Sequence, residues 1–445
     1  MEKFISQRKV FVLDTSVLLY DARSIHSFPG NDVVLPLVVL DELDRKKEKP
    51  GLVGENARYV NRYLDDLREK GNLHAGVEIE NIQQSVKVSL TGFDKVPVGL
   101  DPNSSDNKII SCVLDTMKSV KQQVVMVTKD INFRVKCDAL GIKSEDYYKD
   151  KIIQTQAEFY KGYADIEVPD HRIIDRLFEQ KITKEDVQTV IDALERTPNQ
   201  NEFLCIKSQN KSFLGIYQDR FIHKIRSDKE IDEGLVGIKS RNREQLYALN
   251  ALNNDEIPLV TVTGLAGSGK TFITLMSAIS GLNRGVYERI IFTRNIQPVG
   301  RDIGFLPGDM NEKMMPWMAP IMDNFRHAFK DKDLTYFSAM RQKGTIEIAP
   351  LSFMRGRTFN NTYLIMDEAQ NATIHELKTV ITRMGEGSKI VLLGDIDQID
   401  TPYIDSLSNG LTIVAEKFKN EEVSAHIQLK KGERSYLSSV AAKII

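Results

Sequence analysis

Gly264-Leu265-Ala266-Gly267-Ser268-Gly269-Lys270-Thr271 decides how this chain is read. It fits G-x-x-x-x-G-K-[ST]. It follows a strand-like run (Leu259, Val260, Val262) and precedes a helix-like run (Phe272, Ile273, Leu275, Ala278, Ile279). Set between strand and helix, such a loop binds phosphate. Its glycines let backbone N–H groups wrap phosphate oxygens, Lys270 reaches the β- and γ-phosphates, and Thr271 holds Mg²⁺. The expected cofactor is ATP with Mg²⁺, held by Gly264, Leu265, Ala266, Gly267, Ser268, Gly269, Lys270 and Thr271.

Working outward, strand-like runs recur at Ile290–Thr293, Thr345–Ala349, Tyr363–Met366, Lys389–Leu393 and His426–Leu429. Strands alternating with helices predict an α/β domain with a mainly parallel sheet. Residues 241–445 suit one RecA-like P-loop NTPase core. Tyr363-Leu364-Ile365-Met366-Asp367-Glu368 is a hydrophobic strand ending in two acids. Asp367 is expected to help hold the hydrated Mg²⁺, and Glu368 to orient or deprotonate the attacking water. Gln398, in Gly394-Asp395-Ile396-Asp397-Gln398, is a candidate γ-phosphate sensor, and Gln245 a candidate reader of the adenine edge. Arg434, late in the chain, is a candidate arginine finger, acting in its own subunit or a neighbour. Arg294, Arg355 and Arg357 are further candidates for phosphate or RNA contact.

The other half of the chain divides at about residue 150. In 1–150, Val10-Phe11-Val12-Leu13 and Val124–Val127 read as buried strands. The apolar run Val33–Leu40 leads into a charged helix-like segment, Asp41–Lys49. Ala57, Val60, Leu64 and Leu67 follow helical spacing, and so do Ile109, Ile110, Val113 and Leu114. This too is an α/β pattern. Four acids punctuate it: Asp14, Glu42, Asp106 and Asp130, with Asp41, Asp44 and Asp101 close by in sequence. Parallel sheets gather side chains at the carboxyl ends of their strands. Carboxylates brought together there repel one another unless Mg²⁺ or Mn²⁺ bridges them. Such a site activates water and stabilises both oxygens of a phosphodiester exchange. Thr15 or Ser16 is placed to orient a metal-bound water. Between the two domains, 151–240 carries a capped helix start at Thr183-Lys184-Glu185-Asp186. A β-hairpin is predicted around Ser208-Gln209-Asn210-Lys211. With no catalytic signal, this stretch reads as a spacer or adaptor.

Composition sets the limits. The 445 residues are 41% hydrophobic and 27% charged, with a net charge of −2. That is ordinary for a globular protein, and it excludes a global field that draws nucleic acid; any such site is a local patch. Three cysteines without C-x-x-C spacing and seven scattered histidines disfavour disulfides and structural zinc, so a cytoplasmic setting is expected. No run is long and apolar enough for a membrane span, and the first residues lack a signal-peptide pattern.

Residues 241–445 resemble the PhoH family of ATPases. The likeness rests on Gly304-Phe305-Leu306-Pro307-Gly308-Asp309, Pro350-Leu351-Ser352-Phe353-Met354-Arg355-Gly356-Arg357-Thr358, Asp367-Glu368-Ala369-Gln370-Asn371-Ala372-Thr373 and Gly394-Asp395-Ile396-Asp397-Gln398-Ile399-Asp400. It implies ATP hydrolysis, kinship with superfamily 1 helicase cores, and ring-like homo-oligomers, a hexamer being one form. Residues 1–150 resemble a PIN domain through Val12-Leu13-Asp14-Thr15-Ser16-Val17-Leu18, Leu40-Asp41-Glu42-Leu43, Ser104-Ser105-Asp106-Asn107-Lys108-Ile109-Ile110 and Val127-Thr128-Lys129-Asp130. PIN domains are typically metal-dependent ribonucleases, which puts Asp14, Glu42, Asp106 and Asp130 on the metal and Asp14 and Asp106 in catalysis. The expectation is an ATP-dependent RNA-processing enzyme, with helicase-like activity in one half and ribonuclease activity in the other. The alternative is an ATP-switched RNA-binding protein or scaffold whose PIN fold is silent.

Overall fold

The computed structural model describes residues 8–49, 52–90, 96–147, 158–231, 239–294, 310–330, 334–399 and 409–430. The chain forms two compact units, Met1–Asp150 and Lys151–Ile445, taken here one at a time.

The first unit runs β1 (Val10–Leu13), α1 (Thr15–Tyr20), β2 (Asp32–Pro36), α2 (Leu37–Lys46), α3 (Leu52–Lys70), β3 (Val77–Ile79), β4 (Gln84–Ser89), α4 (Ser105–Ser119), β5 (Val124–Val127), α5 (Ile131–Ala139) and β6 (Ser144–Glu145). Its sheet has the order β3-β4-β2-β1-β5-β6 and is parallel except between β3 and β4. Val124, Val125, Met126 and Val127 are all buried, as a central parallel strand requires. The helical spacing of Ala57, Val60, Leu64 and Leu67 puts all four in the core on α3. The apolar run Val33–Leu40 is not one element. Pro36 is the last strand residue, and α2 starts at Leu37. Proline fixes φ near −65° and has no N–H, so it serves before a helix's first turn better than inside a ladder. Sequence periodicity did not mark β3 or β4, which are short and half polar.

The second unit opens with β7 (Tyr163–Glu167), α6 (His171–Phe178), α7 (Lys184–Leu194), β8 (Glu202–Ser208), β9 (Lys211–Gln218), β10 (Phe221–Lys224) and α8 (Asp228–Ile231). These strands make a sheet ordered β10-β9-β8-β7. The predicted hairpin is β8–β9, turning at Gln209 and Asn210, and Thr183 and Asp186 form the predicted capping box of α7.

This stretch differs from a free spacer. Tyr163, Phe203, Ile216, Ile225 and Ile231 share one apolar core with Tyr247, Val260 and Val262 from beyond residue 240. Phe203 stacks on Tyr247 with ring centroids 4.9 Å apart. Gln428 N–H donates to the Lys161 carbonyl at 2.9 Å. Asn201 Nδ2 donates to the carbonyls of Glu422 and Ser424 at 2.9 and 2.8 Å. Gly162, at φ +83°, passes so close that a Cβ there would lie 1.6 Å from the His426 carbonyl oxygen. An exposed edge strand invites unwanted pairing, and this packing covers one.

The strand so covered is the last of the second sheet. That part runs α9 (Arg243–Leu252), β11 (Leu259–Gly264), α10 (Lys270–Asn283), β12 (Arg289–Arg294), α11 (Met310–Phe329), α12 (Thr335–Gln342), β13 (Ile346–Ile348), β14 (Thr362–Asp367), α13 (Ile374–Ile381), β15 (Lys389–Gly394), α14 (Gly410–Phe418) and β16 (Ser424–Leu429). The sheet order is β13-β12-β14-β15-β11-β16, parallel throughout.

At the opposite end from the loop, Lys389 is fully buried and donates to the carbonyls of Ala251 and Asn254 at 3.0 and 2.7 Å. It thereby ties down the C-terminal end of α9. Burial pulls its ammonium from 10.5 down to about 7. Between those values the unfolded chain binds the proton more tightly, so Lys389 makes stability rise as pH goes from about 7 toward 10.5. Denaturation of wild type and Lys389→Met across pH 7–9.5 is expected to show wild type gaining on the variant by a few kcal/mol, order of magnitude. A flat difference would remove Lys389 as the source.

Candidate nucleotide site and acidic site

Parallel pairing brings the carboxyl ends of β12, β14, β15 and β11 to one edge. Thr263 pairs with Gly394, and Arg294 pairs with Asp367. The glycine-rich loop, Asp395, the Asp367-Glu368 pair and Arg294 therefore share that edge.

The loop is held from several sides. Gly264 sits at φ +149°, where an added Cβ would be 2.3 Å from the Leu429 carbonyl oxygen. Asp395, buried, accepts from Ala266 N–H at 3.0 Å and from Asp397 N–H at 3.1 Å. Lys270 Nζ folds back onto the carbonyls of Gly264 and Leu265 at 2.5 and 3.0 Å. Ser268 Oγ is buried in the loop without a hydrogen-bond partner among the described residues. A buried hydroxyl, backbone amides at a helix start and an ammonium bonded to loop carbonyls make a donor set that fits a phosphate chain. Thr271 stands on the first turn of α10.

The acids lie two strands away. Burial, then Glu368, pushes the Asp367 carboxyl up, while Arg294 and Lys270 pull it down. A cation is the natural completion of such a pair. Glu368 adopts φ +54°. One of its oxygens lies 3.3 Å from Arg294 Nη2, and the other accepts from Gln370 Nε2 at 2.6 Å. Gln370 is fully buried; it also donates to the Gln398 carbonyl at 2.8 Å and accepts from Asp395 N–H at 3.2 Å. It thus links Glu368, through Asp395, to the loop.

Several sequence candidates land elsewhere. Gln245 is buried, with Nε2 donating to the Ser268 carbonyl at 2.9 Å and Oε1 accepting from Arg241 N–H at 2.8 Å. Both ends of this amide are engaged, so as placed it braces the loop instead of meeting a base edge. The Gln398 side chain is exposed. Arg357 is spent on a two-pronged bond to Glu347 at 2.5 and 2.8 Å, whereas Arg355 is exposed. Arg434 and the Gly304–Asp309 motif lie outside the described residues. Asp395 and Gln370 are the functional positions that sequence reading passed over. Both stood within quoted motifs, but only tertiary hydrogen bonds reveal their work.

In the first unit, Asp14 follows β1 and Thr128 follows β5, one step past the paired Leu13 and Val127. Thr128 Oγ1 donates to Asp14 Oδ2 at 2.7 Å, and Ser16 Oγ donates to the same oxygen. Asp14 is 6% exposed. Burial pushes it up to about 6, with Asp106 and Glu42 adding repulsion and the two hydroxyls opposing. Asp106 reaches Lys136 at 3.3 Å, and Glu42 accepts from Thr15 Oγ1. So Thr15 and Ser16 orient acids directly. Charge from Asp106 and Glu42 thus bears on the buried Asp14 carboxylate, a repulsion of the kind that a cation relieves.

Asp130 differs. Its Oδ1 caps α5, accepting from Asn132 and Phe133 N–H at 2.7 and 3.2 Å. Asp44 pairs with Lys47 at 2.6 Å, and Asp101 holds a local turn through Asn103 N–H at 3.0 Å. Among the described residues, no three His, Cys, Asp or Glu side chains are drawn together closely enough to enclose an ion as they stand.

Known proteins align with both units. Residues 11–148 match a PIN domain and residues 237–444 match a PhoH-like protein. Protein PhoH2 of Bacillus subtilis is 39% identical over 98% of this chain and 100% of its own length. Protein PhoH2 of Thermobispora bispora is 32% identical over 99% of this chain and 97% of its own. Protein PhoH of Escherichia coli K12 is 37% identical over 44% of this chain and 53% of its own. Among the described residues, no helix is long and apolar enough to cross a membrane.

Proposed function

The chain belongs to the PhoH2-type proteins, in which a PIN domain precedes a PhoH-like P-loop ATPase domain, and on that premise we propose an ATP-dependent RNA-processing enzyme. The observation that carries the ATPase half is the shared edge of loop, Asp395, Asp367 and Glu368. In the proposed reaction a water oxygen bonds the γ-phosphorus, the bond to the bridging oxygen breaks, and the water's proton passes to Glu368. Thr271 and Asp367 would hold Mg²⁺, which would offset phosphate charge. Lys270 leaves its carbonyl partners for the phosphates.

For the PIN half the proposal is an endoribonuclease. Asp14, Glu42 and Asp106 hold Mg²⁺ or Mn²⁺, and the hydroxyls of Thr15, Ser16 and Thr128 fix the acids. A divalent cation bound there would activate water and offset phosphodiester charge. RNA is the proposed partner and the cytoplasm the proposed setting. One RecA-like core lacks the two-core cleft of monomeric helicases. Unwinding is therefore assigned to a homo-oligomeric ring, hexameric in one form, with Arg434 completing a neighbour's site. One observation favours a second reading, a silent PIN domain in an ATP-switched RNA-binding protein: Asp130 is engaged as a helix cap.

The test is cleavage of labelled single-stranded and hairpin RNAs by wild type, Asp14→Asn and Lys270→Ala, in Mg²⁺ or Mn²⁺, with and without ATP. Metal-dependent cutting that Asp14→Asn loses is expected, and loss of its ATP response in Lys270→Ala is the sign of coupling. ATP hydrolysis without any cutting would leave the RNA-binding reading.

A further inference from the structure

Glu368, the carboxylate assigned to the attacking water, is held at both oxygens. Gln370 is a fixed post: fully buried, it bonds Glu368, Gln398 and Asp395 at once. Arg294 is the movable partner. It stands at the end of β12, its side chain is 36% exposed, and its 3.3 Å contact with Glu368 is its one ion pair among the described residues. An ion pair this open to water is weak. A phosphodiester offers the guanidinium two oxygens in matching geometry, a stronger pairing for a polyanion to provide.

A second observation concerns the neighbouring strand. β13 is the next strand beyond β12, and the Ala349 N–H just after β13 donates to the Phe292 carbonyl at 3.0 Å. The turn that follows is anchored: Phe353 N–H bonds the Pro350 carbonyl at 2.9 Å, and Met354 is fully buried in the core. Either side of that anchor, Phe353 is 51% exposed and Arg355 is exposed. A displayed aromatic ring beside an arginine suits the stacked bases and phosphates of a single strand.

We propose that Arg294 is a positioning residue through which single-stranded RNA on this edge controls ATP hydrolysis. Without RNA, Arg294 holds Glu368 away from the attacking water. An RNA phosphate draws the guanidinium off, and Glu368 turns to the water. This rests on the reading of the chain as an ATP-dependent RNA-processing enzyme.

The experiment is ATP turnover by the full chain with and without a 30-nucleotide oligouridine RNA, in wild type, Arg294→Ala and Arg294→Lys. The RNA is expected to raise wild-type kcat about tenfold. Arg294→Ala should start near the stimulated rate, with its KM for ATP little changed, and respond little to RNA. Arg294→Lys keeps the charge and should keep the low RNA-free rate. The log–log salt slope of RNA affinity should fall by about 0.7 in Arg294→Ala, one single-strand phosphate contact, a change that a purely structural role would not produce. An RNA-free rate in Arg294→Ala at or below wild type overturns the proposal. If RNA leaves wild type unchanged, the RNA reading fails and takes the RNA half of this proposal with it. A raised RNA-free rate in Arg294→Ala would then still uphold the hold on Glu368.

Discussion

Lys270→Ala is expected to lower ATP turnover by roughly two to three orders of magnitude and to leave the fold in place. Both parts follow from the same contacts. In the loop the ammonium donates to the carbonyls of Gly264 and Leu265, and water can take over both bonds when the side chain is cut back. The loop keeps its other restraints, the Asp395 carboxylate on Ala266 N–H and the Gln245 amide on the Ser268 carbonyl. With ATP bound, no other cation in the loop is placed to meet charge on the β- and γ-oxygens. Preorganised charge inside a site contributes far more in the transition state than the same charge in water. Phosphate release and the denaturation midpoint, measured together, check it. A loss under tenfold with an unchanged midpoint would move the phosphate-binding role off Lys270.

What was legible in the sequence was what is local. The loop residues and the acids at the end of β14 sit within short motifs whose geometry follows from strand, turn and helix in order. The alternation of strands and helices in residues 1–150 and 241–445 was legible from periodicity for the same reason. What was hidden depends on partners distant in sequence. Asp395 acts on Ala266, 129 residues away. Nothing in Gly394-Asp395-Ile396-Asp397-Gln398 distinguishes a loop brace from a phosphate sensor, so attention fell on Gln398. Gln245 was read by its chemistry, which suits a base edge, while its burial shows a backbone brace. The stretch after residue 150 carries no catalytic pattern, and its tie to the ATPase sheet hangs on Gly162 and Asn201 meeting β16 and its approach. A glycine that makes room for a distant carbonyl looks in sequence like any other glycine.

Asp130 shows the same limit from the other side. An aspartate between a strand and a helix reads equally well as ligand or cap, because a carboxylate suits both cations and helix N–H groups. The cap bonds are there. The adjacent acids divide on similar grounds. Asp44 and Asp101 have local partners, whereas Glu42 and Asp106 are the acids whose charge reaches Asp14.

Asp14→Asn is therefore expected to abolish metal-dependent RNA cleavage, by at least about a thousandfold, without loosening the PIN domain. Asparagine is isosteric, and its carbonyl oxygen still accepts from Thr128 and Ser16. What disappears is a buried negative charge facing two more, at Asp106 and Glu42. In chelator, then, the variant should be at least as stable as wild type, since removing an uncompensated buried charge relieves desolvation and repulsion together. Mg²⁺ or Mn²⁺ should reverse the order. A cation that binds only the folded site stabilises wild type by about 2.7 kcal/mol at a hundred times its Kd. The variant, short of its central ligand, should gain little. Thermal unfolding of both proteins in chelator and in metal, run beside the cleavage assay, separates the outcomes. Wild type that gains metal stability and cuts, with a variant that does neither, places the nuclease at Asp14. A variant that cuts as well as wild type moves the chemistry elsewhere. Wild type that neither cuts nor gains stability from either metal makes the first unit an RNA-binding PIN fold, and leaves the chemistry of the chain to the loop at Lys270.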